Sequence, residues 1–173
     1  MANPTISPAE TSPESSARPS AWPGALLATG RVALGAIFMY AAYAKLHFGG
    51  AWHFGDYHFF FAMAIDSYKM LPLGIVEWMA RILPWFELAL GVLLIVGVGL
   101  RWVGSVASGL LLVFIAAMTR AKILGLEINC GCFGNNEKLG TLTLLRDSSL
   151  LLLALAVTFG AFVIKKRQRT VSL

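Results

Sequence analysis

Four apolar stretches, at about 25–45, 78–100, 102–118 and 148–164, leave this chain few folds to choose from. Each approaches the roughly 20 residues that a helix needs to cross about 30 Å of hydrocarbon. Backbone polar groups find no water there, so a spanning segment satisfies them within a helix or a closed barrel. These runs are continuously apolar and do not alternate, which selects helices. The expected fold is an all-α integral membrane four-helix bundle. Composition agrees: 57% of the 173 residues are hydrophobic, 13% are charged, and mean hydropathy is +0.71. The charged share is about half that of a soluble domain.

A net charge of +5 raises nucleic acid as a partner. The basic residues are nevertheless scattered or placed at helix ends, and the dense cluster Lys165, Lys166, Arg167 and Arg169 directly follows an apolar run. That is the pattern of a cytoplasmic anchor, so the bilayer is the expected partner and nucleic acid is not. Residues 1–22, rich in Pro, Ser, Thr and Ala, read as a disordered tail without the apolar core of an ordinary signal peptide. A transmembrane domain over 23–165 and a basic cytoplasmic tail over 166–173 complete the expected organisation.

Between the first two spans, Tyr57, Phe60, Phe61, Ala64, Ile65 and Tyr68 recur at helical spacing, with Asp56, Asp66 and Lys69 off the stripe. This predicts an amphipathic interfacial helix ended by Pro72. The second and third spans are separated by little more than Arg101 and should form a tight hairpin. Small residues in the first span (Gly30, Ala33, Ala36) and the third (Gly104, Ser108) suit close helix packing. A polar loop over 119–146 holds both cysteines of the chain. Four spans put both termini on one side, and the basic tail makes that side the cytoplasm of a bacterial inner membrane. The cysteine loop then faces the exoplasmic, disulfide-permitting compartment.

Cys130-Gly131-Cys132 is the strongest chemical signal. Thiol exchange needs a thiolate and a second sulfur near enough to resolve a mixed disulfide. One intervening residue permits that only with a sharp bend, which Gly131 allows. A bridge over so short a loop is strained and therefore easily reduced. A static disulfide pinning the loop is the plainer alternative. His47, His53 and His58 with the cysteines would offer soft and imidazole donors, but their spacings match no ligand motif, and no metal site is expected. Inside the membrane, Arg31 and Glu87 are costly unless partnered. Glu87 has two candidate cations, Arg31 and Lys45, and spacing alone does not choose between them. A structural ion pair and a proton relay or headgroup site are both open.

Arg31, Gly35, Phe38, Ala41 and Lys45 resemble the first-helix signature of DoxX-like membrane proteins. Phe61, Ile65, Tyr68, Leu71-Pro72, Pro84, Glu87 and Gly91 resemble the methylamine-utilisation MauE branch. Cys130-Gly131-Cys132-Phe133-Gly134 and Leu145-Arg146-Asp147 resemble it too. The resemblance covers about residues 24–165. It implies a four-helix bundle similar in plan to vitamin K epoxide reductase-like proteins, although those carry C-x-x-C where this chain has C-x-C. It also implies redox maturation of an exported protein, such as a disulfide-rich methylamine dehydrogenase subunit, beside a thioredoxin-like partner. A quinone is the electron acceptor it points to. The expected activity is thiol–disulfide exchange by Cys130 and Cys132; the rival role is a non-catalytic anchor or scaffold in a quinone-linked respiratory or dehydrogenase complex.

Overall fold

A computed structural model describes residues 22–47, 57–130, 133 and 138–171. They form five helices: α1 (Trp22–Leu46), α2 (Tyr57–Asp66), α3 (Leu73–Val96), α4 (Leu100–Ile123) and α5 (Thr141–Val171). Four are long and apolar enough to cross a membrane. They run up and down in chain order, and α1 packs on α3 and α5 while α4 closes the ring against the same two. Every neighbouring pair is thus antiparallel, as in up-and-down bundles. Trp78, Trp102, Leu152 and Phe159 point outward and are highly exposed. Such a surface suits lipid, where an apolar exterior carries no penalty.

The spans begin and end further out than their apolar cores. Pro72 stands at the N-cap of α3 in an extended conformation, where its missing N–H costs the helix nothing. At the far end Gly97 caps α3 with φ 83° and donates its N–H to the Leu93 carbonyl. Gly99, with φ 59°, opens α4. Two left-handed residues in three make the tight hairpin expected around Arg101, and glycine adopts that conformation without a Cβ clash. The last span starts at Thr141, not at 148. The cysteine loop therefore shrinks to the residues between Ile123 and Thr141. The helix also continues to Val171, through most of the segment read as a tail.

Close packing is centred one position away from where the sequence suggested. Ala33 and Ala36 face outward, whereas Gly35 and Gly91 meet backbone to backbone. A Cβ on Gly35 would lie 2.8 Å from the Gly91 carbonyl oxygen, and one on Gly91 would lie 2.8 Å from that of Gly35. Gly30 packs on Val157, and Gly104 on Thr158, as expected of small residues at helix crossings. Leu34, Phe38, Leu90, Leu94, Ala107, Leu111 and Ala154 form the central core.

α2 packs on the first turns of α3, which overhang the end of α1. Phe61 is buried against Ala80 and Leu83, while Phe59, Phe60 and Met63 face out. The amphipathic helix is present between the first two spans; Phe60, assigned to its buried stripe, lies on the outer face.

Candidate functional site

Among the described residues the buried charged side chains are Lys45, Glu87 and Asp147, and all three line one cavity. The Lys45 ammonium donates to both oxygens of Glu87, at 3.0 and 2.8 Å. Each side chain is about 97–98% buried. The Lys45 Nζ also lies 5.7 Å from the ring centre of Phe61 and 5.8 Å from that of Phe114. A lysine near a helix end in lipid ordinarily extends toward the interface. Here it is drawn back instead to Glu87, mid-way along α3.

Arg31 does not join this group. It sits three turns away, against Gly97 at the C-terminal end of α3, where helix carbonyls lacking internal donors favour a cation. The choice left open by spacing is resolved in favour of Lys45.

The cysteine loop closes over the same end of the bundle. Its neck is zipped by an antiparallel bridge between Asn129 and Lys138 and by the Leu139 N–H donating to the Ile128 carbonyl at 2.9 Å. The Tyr68 hydroxyl, just beyond α2, donates to the Cys130 carbonyl at 3.0 Å. Cys130 is 5% exposed, packs with Met118, and places its Sγ 3.4 Å from the Met118 Sδ. Phe133 is stacked on Tyr40 with ring centres 5.8 Å apart. The Arg146 guanidinium also lies 4.2 Å from the Phe133 ring centre. Arg146 in turn donates to Asp147 at 3.1 Å. Gly131 and Cys132 lie outside the described residues.

Phe133 and Phe114 separate Cys130 from the charged cavity: both pack against the Cys130 cluster and both line the cavity. The cavity volume is about 30 Å³. That is room for a water or two; apolar side chains make up most of the lining, with Lys45, Glu87 and Asp147 among them. A quinone ring does not fit this cavity as it stands. His47 directly follows α1 and contacts the Tyr43 ring. His58 belongs to α2, and His53 lies outside the described residues. Among those described, no three His, Cys, Asp or Glu side chains gather to hold a metal ion.

Residues 23–160 match the family model described as methylamine utilisation protein MauE. The chain belongs to the MauE family. The methylamine utilization protein MauE of Paracoccus denitrificans is 32% identical over 133 residues, covering 75% of this chain and 67% of that protein. No solved structure matches the chain. Residues from both resemblances meet in space: Phe38, Ala41 and Lys45 of the DoxX-like first-helix pattern and Glu87, Phe133 and Asp147 of the MauE-like stretches all line the cavity. Gly35 and Gly91 set the crossing that brings α1 and α3 together there. Asp147 is the site residue that sequence reading left unassigned. Its signal lay in helical register: Thr143, Asp147, Ala154 and Thr158 fall on one buried face of α5.

Proposed function

We propose that this MauE-family membrane protein exchanges disulfides through Cys130 and Cys132 with an exported thioredoxin-like or disulfide-rich redox protein, in the setting of methylamine utilisation. The observation that supports this most is the docking of the Cys130 segment. A sulfur-bearing loop is clamped by α1, α2, α4 and α5 directly over the buried charges, an investment of contacts that an idle connector does not need. Burial also divides the labour between the two sulfurs. A folded partner cannot reach a cysteine that is 5% exposed, so Cys132 forms the mixed disulfide and Cys130 resolves it.

This assignment has a direct test. Cys130→Ser should accumulate a mixed disulfide between Cys132 and an exported protein, seen on non-reducing gels after acid trapping of thiols. Cys132→Ser should not, because the remaining sulfur is enclosed. If neither variant traps an adduct and the double serine variant supports growth on methylamine as well as the parent, exchange is excluded. A scaffold role then takes its place.

Orientation follows from the same reading. A membrane-impermeant maleimide should label the cysteine pair in intact cells after mild reduction. Labelling that requires lysis would place the loop on the cytoplasmic side.

A further inference from the structure

We propose that a cleft between α2 and the start of α3 holds one phospholipid whose headgroup carries an ammonium beyond its phosphate, the chemistry of phosphatidylethanolamine. Glu77 receives the ammonium and Arg81 the phosphate. The cleft shares no lining residue with the Lys45–Glu87 cavity. Its volume is about 540 Å³, within the about 300–1,000 Å³ usual for small-molecule sites.

The lining is amphipathic. Phe59 and Met63 of α2 and Val76 of α3 supply apolar surface, and Asp66, Lys69, Glu77 and Arg81 stand among them. With His58 neutral, these two acids and two bases cancel. Asp66 and Lys69 answer each other at 2.7 Å. Glu77 and Arg81, one turn apart on the same face of α3, are both exposed. Among the described residues neither of them enters an ion pair. Arg81 nevertheless lies two turns inside a membrane-spanning helix. A guanidinium at that depth is costly unless an anion meets it, and lipid phosphate is the anion the bilayer supplies there.

The order of the two charges selects the headgroup. α3 enters the bilayer at Leu73, so Glu77 lies nearer the water and Arg81 about 6 Å deeper along the helix axis. A phosphatidylethanolamine of that leaflet presents its groups in the same sequence, ammonium outermost, phosphate next and acyl chains deepest. Guanidinium matches phosphate through paired N–H donors, and the carboxylate matches the ammonium. A headgroup with a phosphate and no ammonium would leave Glu77 unneutralised beside that phosphate, a repulsive element that favours the zwitterion over a net anion. The upper acyl chains would cover Phe59 and Met63, now 59% and 58% exposed.

Native mass spectrometry of the full-length protein in detergent tests this, with dioleoyl phosphatidylethanolamine and dioleoyl phosphatidylglycerol as the titrants. The parent should retain one phosphatidylethanolamine and bind it more tightly than phosphatidylglycerol. Arg81→Gln should weaken that binding about tenfold or more, the scale of one lost charge-assisted hydrogen bond. Glu77→Gln should erase the preference between the two lipids. Met63→Trp, which fills the cleft and keeps every charge, should release the lipid as well, and it decides the matter should Arg81→Gln fail to fold. Lys122→Gln, which removes a charge at the same end of the bundle but outside the cleft, should bind as the parent does. Excess soluble phosphoethanolamine should not displace the lipid; displacement would make this a site for a free phosphate ester and overturn the lipid assignment. Equal affinity of the parent for both lipids would overturn the ammonium contact. Undiminished binding by Met63→Trp and by a folded Arg81→Gln would overturn the cleft as the site.

Discussion

Glu87→Gln is expected to lower the stability of the bundle by about 3–5 kcal/mol, the cost of removing one partner from a buried ion pair. The size follows from what is left behind. Lys45 is fully enclosed, and its ammonium would lose the carboxylate that takes two of its hydrogen bonds, for which the weak attraction of two aromatic faces does not compensate. Lys45→Met should cost a similar amount by stranding the carboxylate. The double variant Lys45→Met/Glu87→Met should recover much of the loss, because an apolar pair of similar volume avoids the desolvation of both charges. Unfolding in detergent measures all four corners of the cycle, and additive losses would show that the two residues are energetically independent. Arg31→Gln provides the contrast: it touches neither residue and should change stability far less.

The second large effect is expected at the α1–α3 crossing. Gly91→Leu should destabilise the protein by at least the upper end of the about 1–3 kcal/mol typical of overpacking. A Cβ there meets the Gly35 carbonyl at 2.8 Å and the Met39 backbone nitrogen at 3.1 Å. Backbone atoms cannot swing aside as a side chain can, so the two helices must separate. Separation would also pull Lys45 from Glu87, coupling the crossing to the site above it. Gly109→Ala in α4 is the control, since nothing lies within 4 Å of its added Cβ. It should be neutral or stabilising by about 0.5–1 kcal/mol, as helix propensity predicts. Equal melting temperatures for Gly91→Leu and the parent would mean that the helices are not in contact here.

The four spans were legible because lipid imposes one rule on every residue of a span, and hydropathy reports it directly. Their ends were not, for a specific reason. Glu77 near the start of α3 and Arg146-Asp147 near the start of α5 read as loop charges, yet both segments are helical. Asp147 is hidden from hydropathy because its charge is accommodated by tertiary neighbours. The pairing of Glu87 escaped for a related cause: which cation it meets depends on how far α3 overhangs α1, a distance set by the Gly35–Gly91 crossing. The cysteine motif was plain in sequence, but the burial of Cys130, on which its proposed resolving role rests, comes from Tyr68 and α4, far away along the chain.

The central core has a bearing on bioenergetics. Leu34, Leu90, Leu94, Ala107 and Ala154 belong to the buried apolar cluster at the centre of the bundle, and none of these residues carries a titratable side chain. A charge taking part in chemistry at the Lys45–Glu87 end would find in this cluster no station from which to continue across. Carrying one elementary charge through the whole membrane field would involve about 2.3 kcal/mol per 100 mV. A reaction confined to one side of this seal moves charge through little of that field. Its equilibrium should therefore be the same in energised and de-energised vesicles, and the protein would act as an electrically silent component of the membrane.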